Sequence, residues 1–107
     1  MSSEVSLGRL NAKLATYKRF ALVCDNPLMP VKFSVLATDM TICVSAFPYI
    51  SFRIAGEPGS WICLNHIKSI KSVGNYDDMD SFKINCADYL SDNKGDMTTF
   101  SLVCYKT

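Results

Sequence analysis

The sequence predicts an α+β, mainly β fold: an N-terminal helix followed by about seven antiparallel strands that form a small, partly open barrel or sandwich. Three observations carry this expectation. Helical spacing of apolar residues is confined to the N-terminal stretch, apolar residues alternate with a period of two from Val31 onward, and turn-forming residues punctuate that alternation. The chain has 107 residues, of which 49% are hydrophobic and 20% charged. That is the size and balance of a single globular domain, 1–107, with residues 1–5 expected to be flexible.

Ser6 suits a helix N-cap, and Leu7, Leu10, Leu14 and Tyr17 follow at three- and four-residue intervals. The helix is expected to hand over near Arg19, because Phe20 to Cys24 is a short apolar run of β-leaning residues. Asp25-Asn26-Pro27 and Pro30 read as a loop. Val31 to Leu36 and Met40 to Ala46 then alternate as two strands, with Thr38-Asp39 as the tight turn of a hairpin. A further strand, Tyr49 to Ile54, places Ile50, Phe52 and Ile54 on one face. Gly56-Glu57-Pro58-Gly59 is the strongest turn signal, since Pro then Gly suits the centre of a type II turn, and Trp61 to Leu64 returns as the partner strand.

In Asn65 to Val73 the apolar residues recur every third position, as in a helical turn or a bulged strand. Gly74 to Asp80 reads as an acidic loop, Phe82 to Cys86 as a strand, Ala87 to Met97 as a long connection, and Thr98 to Tyr105 as the closing strand. In element order alone the chain resembles small β-barrels that begin with a helix, such as the Sm-like RNA-binding proteins, whose sequence motifs it lacks.

No stretch reaches the ~18 apolar residues of a membrane span, and the polar start lacks the basic and apolar regions of a secretory signal. The five cysteines sit in mid-strand apolar contexts and include no pair at zinc-knuckle or redox-motif spacing. A reducing, cytoplasmic setting with inert thiols is expected. Cys63 and His66 lie three apart, but a structural zinc needs four ligands and no second pair exists. Asp77, Asp78 and Asp80 share one loop, whereas acid–base chemistry needs two carboxylates in different environments. No EF-hand ligand order, glycine-rich phosphate loop or nucleophile-elbow motif occurs. Neither catalytic residues, metal nor cofactor are therefore expected.

The formal net charge is only +1, with 11 Lys+Arg against 10 Asp+Glu, which argues against a dedicated duplex-DNA binder. Each phenylalanine in Lys32-Phe33, Phe52-Arg53 and Phe82-Lys83 is expected to face inward and its basic neighbour outward, the wrong arrangement for base stacking. Tyr49, Tyr76, Tyr89 and Tyr105 fall at strand ends or in loops, where tyrosine anchors interfaces.

The expectation is a small non-enzymatic binding or inhibitor module whose partner is another protein. It would act through loops 74–80 and 87–97, with Tyr76, Asp77, Asp78, Asp80, Tyr89 and Asp92 as contacts, and it is open to homo-oligomerisation. A phage or mobile-element inhibitor of a host defence system would fit that description. Two alternatives stand beside it. One is an RNA or single-stranded nucleic-acid binder using Arg9, Lys13, Lys18 and Arg19; the other is a small-ligand or nucleotide-binding barrel with a pocket at its mouth.

Overall fold

The computed structural model describes residues 3–24, 34–57, 59–65, 67–87 and 97–107. Ser6 caps helix α1 (Leu7–Ala12), its side chain accepting a bond from the Arg9 N–H at 3.2 Å. The helix is shorter than its apolar spacing suggests. It tightens at Lys13 into a 3₁₀ turn, Leu14–Thr16, and Tyr17 is already extended. That tightening turns Tyr17 inward, where it is buried with Leu10, and lets Lys18 N–H bond Tyr105 O at 2.7 Å, starting the sheet.

The strands are β1 (Ser3–Glu4), β2 (Arg19–Cys24), β3 (Ser34–Cys43), β4 (Tyr49–Ile54), β5 (Trp61–Leu64), β6 (Ile67–Asn75), β7 (Met79–Ala87) and β8 (Met97–Tyr105). They form one antiparallel sheet in the order β1-β6-β7-β8-β2-β3-β4-β5, which is not closed into a barrel and is not a two-sheet sandwich. From Ser3 onward the stretch expected to be flexible is bonded to β6, with Ser3 opposite Ser72, Glu4 opposite Lys71, and Val5 N–H on Ile70 O at 2.8 Å.

The hairpin expected around Thr38-Asp39 is instead a single strand. β3 runs straight through those residues, and its register to β4 slips between Ala37 and Asp39. The slip explains the misreading. A period of two that changes phase marks either a turn or a bulge, and a bulge moves the buried set from Ala37 to Met40 and Ile42 without reversing the chain. Val44 and Ala46, assigned to the same strand, lie exposed beyond its end. The turn at 56–59 is as expected: Ser60 N–H bonds Glu57 O at 3.1 Å, and Gly59 takes φ +85°, the left-handed value that the third residue of a type II turn requires.

The every-third-residue segment is a bulged strand and not a helical turn. β6 slips register against β7 between Ile67 and Ser69 and again between Ser72 and Gly74. The first slip keeps both Ile67 and Ile70 on the inner side, while Val73 falls in the second slip and is exposed. The loop expected at 74–80 shrinks accordingly, with Asn75 ending β6 and Met79 and Asp80 beginning β7.

Six antiparallel pairings lead across the sheet from β6 to β5, an even number, so these two strands run in the same sense. Only Asn65 and His66 separate them in sequence. Leu64 and Ile67 are thus at most about 11 Å apart, and the sheet must curl until the start of β6 comes close to β5 across an unpaired seam. One inner face then supplies the core: Phe20, Leu22 and Cys24, Met40 and Ile42, Ile50 and Phe52, Leu64, Ile70, Phe82 and Ile84, Phe100 and Leu102, closed at one end by Leu10 and Tyr17. Phe52 and Phe82 are buried while Arg53 and Lys83 beside them are exposed, as the alternation requires. No helix among the described residues is long and apolar enough to cross a membrane.

Candidate functional site

The residues picked out for partner binding do not form one surface. Tyr76, Asp77 and Asp78 are exposed on the short β6–β7 turn, which Tyr76 N–H closes on Met79 O at 2.8 Å. The Tyr76 ring folds back over Gly74, where an added Cβ would stand 2.7 Å from Cε2. Asp80, grouped with them in sequence, points the other way and is 4% exposed. Tyr89 and Asp92, with the rest of 88–96, lie outside the described residues, as do His66 and residues 25–33, which include the start of the strand expected from Val31.

The basic quartet also divides. Arg9 and Lys13 project from α1 and its C-cap into hollows between the helix and β6–β7. Arg19 instead lies on the outer side of the sheet, its guanidinium 4.7 Å from the Tyr105 ring centroid, with Lys18 exposed beside it. Lys71 and Lys83 face each other directly across β6 and β7, both exposed.

Asp80 joins both chain ends to the core. The Tyr17 hydroxyl donates to Oδ2 at 2.7 Å, and Lys106 Nζ stands 3.4 Å from Oδ1 while donating to Tyr76 O at 3.1 Å. Ion-pair proximity does not satisfy Oδ1, which is buried and accepts no hydrogen bond among the described residues. Burial, then the bond to Asp80 and its charge, raise the Tyr17 phenol well above its ordinary range. Burial and the charge of Asp80 push the Cys104 thiol up to about 12. Two adjoining hollows of about 140 and 280 Å³ flank this group; Lys13, Asn75 and Asp80 line both, Arg9 and Ser72 the smaller, Thr16 and Lys106 the larger.

The larger feature is apolar and lies on the opposite half. Leu36, Tyr49, Trp61, Val44 and Phe47 are exposed on β3–β5 and the connection after β3, with Phe47 at 88% and Trp61 at 50%. β5 ends the sheet, and no strand lies beside it among the described residues, whereas β1 covers the far edge of β6 only around Ile70, Lys71 and Ser72. Arg53 lies opposite Trp61 in the ladder, its guanidinium 5.8 Å from the indole centroid. Beyond Trp61 the edge opens into a groove of about 420 Å³ at the seam, lined by Phe47, Pro48, Tyr49, Cys63, Ile67 and Lys68. Of these residues the sequence singled out only Tyr49 as an anchor. In the alternation Leu36 falls with Lys32 and Ser34 opposite Val35, and Trp61 only opens the returning strand; the shortness of that strand after the Gly56-Glu57-Pro58-Gly59 turn is the one sequence signal of an edge.

Among the described residues no group of three His, Cys, Asp or Glu side chains could hold a metal ion. The fold and these surfaces define a small α+β, mainly β protein whose β5 edge is unpaired among the described residues. Comparison with protein-family models, with curated proteins and with solved structures gives no match.

Proposed function

We propose that this chain is a non-catalytic binding module that captures an extended segment of a partner protein along the open edge of β5, and so acts as an inhibitor or scaffold. The observation that carries this reading is the coincidence of the β5 edge, unpaired among the described residues, with exposed Trp61 at its start and exposed Tyr49 and Phe47 past its other end. An added strand takes its affinity from main-chain hydrogen bonds and its specificity from side chains seated in flanking pockets, and the seam groove supplies such a pocket. Contiguous exposed aromatic and aliphatic residues at a rim of polar ones are the usual composition of an interface. Arg53 and Lys68 flank the strip, so the segment it fits carries acidic residues among apolar ones. A reducing, cytoplasmic setting suits this module, because Cys24, Cys86 and Cys104 are sealed in the core as thiols.

Proteins retained from host lysate by the wild-type chain should be lost with Trp61→Glu and kept with Asp77→Lys combined with Asp78→Lys. The capture is scored by quantitative mass spectrometry beside the melting temperature of each variant. Equal capture by Trp61→Glu would overturn the proposal. So would a wild-type dimer that this substitution splits, because a second copy would then occupy the edge.

A further inference from the structure

We infer that the cleft between α1 and the β6–β7 hairpin is a binding site for a small phosphomonoester that also carries hydroxyl or amino donors, a sugar phosphate or nucleoside monophosphate. The first observation is Asp80. A buried carboxylate oxygen that accepts no hydrogen bond costs more than a neutral orphan, because the full desolvation of a charged group is left uncompensated. Such a group is explained if a donor arrives from outside, and Asp80 forms part of the wall of both hollows.

The second observation is the charge around it. Arg9, Lys13 and Lys106 line the same hollows and Asp80 is the sole acid there, so three cations against one carboxylate leave two positive charges. A phosphomonoester carries about −1.5 to −2 at neutral pH and balances that excess, which a zwitterion or a neutral sugar would not. The phosphate belongs at Lys13, the one cation that lines both hollows, with Arg9 on one side and Lys106 on the other. Asn75, Ser72 and Thr16 offer further polar partners, and Leu10 and Phe82 form an apolar wall in the smaller hollow. When Lys106 turns toward the phosphate, Oδ1 of Asp80 is left for a ligand hydroxyl or amino group, while the Tyr17 bond to Oδ2 stays in place.

Isothermal titration of the full chain with ribose 5-phosphate, 5′-CMP and inorganic phosphate tests this. At least one of the two organic phosphates should bind, and which of them does so identifies the source. Inorganic phosphate should bind at least about tenfold more weakly, because it offers Asp80 no donor from the far side of the cleft. Lys13→Glu alters an exposed side chain, so it should keep the melting temperature of the free protein while weakening the organic ligand about tenfold or more. Asp80→Asn should weaken the organic ligand relative to inorganic phosphate, which should bind more tightly because a carboxylate charge beside it is removed and Lys106 is released. No binding by either organic phosphate, equal binding by inorganic phosphate, or unchanged affinity in Lys13→Glu would each overturn the inference, whether or not Asp80→Asn folds.

Discussion

Cys86 and Cys104 show what burial does to a titratable group at the scale of one residue. Each thiol has its ordinary value near 9, and desolvation among aliphatic neighbours pushes both up to about 12. Cys24 adds to the effect at Cys86, and the charge of Asp80 adds to it at Cys104. Because the folded value is the higher one, the folded state holds its protons where the unfolded chain releases them. Stability contributed this way is fully present below pH 9 and falls as pH rises from 9 toward 12. The Tyr17 phenol, raised by burial and by its bond to Asp80, adds to the same alkaline loss from about pH 10. The urea midpoint should therefore be flat across neutral pH and fall steeply on the alkaline side, and Cys86→Val should make that fall shallower. A midpoint that stays level into the alkaline range would show that these thiols are not sealed. The same burial explains why Asp80 was misplaced in sequence. It follows Asp77 and Asp78 by three and two residues, and nothing in composition distinguishes an acid on a turn from one turned inward by the strand that begins at Met79.

Bulges govern the elements. Three register slips, one in β3 and two in β6, account for the segments whose alternation misled or remained ambiguous. Each slip lets two residues of one strand stand against one of its neighbour, which sharpens the local bend. The β3 slip makes a clear forecast. Ala37 faces inward, Asp39 is paired outward with Arg53, and Met40 is again inward, so Thr38 is the extra residue. Deleting Thr38 heals the ladder without changing which side chains are buried. The melting temperature should move by less than about 8 °C, roughly 1 kcal/mol for a domain near this size. Loss of folding on deletion would mean that the bend itself is indispensable to curling the sheet. A hairpin at this place would have reversed the chain and placed Met40 to Cys43 back beside Val35, instead of against β4. Ladder pairing of Ala37 with Ile54 and of Met40 with Phe52 decides between these, and it is a fact of tertiary contact.

At the scale of the molecule, stability is distributed from the middle of the sheet outward. β7, β8 and β2 are paired on both sides along most of their length, whereas β5 is four residues long and paired on one side, and β1 is two residues long. Native-state hydrogen exchange should accordingly be slowest at Leu22, Ile84 and Leu102 and fastest at Trp61 and Cys63. Protection of Trp61 and Cys63 equal to that of the central strands would mean that the β5 edge is covered in solution. Most of the element types were legible in the chain: the Ser6 cap, the run Phe20 to Cys24, the turn before Trp61, and the inward phenylalanines all follow from local rules of spacing and backbone preference. Local pattern determined that the protein would be one short helix on a mostly antiparallel sheet; of its five sulfurs Cys24, Cys86 and Cys104 lie among the aliphatics, while Cys43 and Cys63, expected there too, are only half-buried because they fall on the outer face. Only the tertiary structure decided that β5 and β6 continue in one direction across a seam. It alone left Trp61 on an open edge, and it alone brought Asp80 from an acidic turn to the floor of a cleft beside Lys13. The physical reason is that alternation specifies which side a residue faces relative to its neighbours in sequence, while exposure depends on what packs against that side. Alternation puts Trp61 with Arg53 on one face of β5 and Leu64 with Ile50 on the other, but only the place of the strand at the end of the curled sheet leaves the face of Trp61 uncovered.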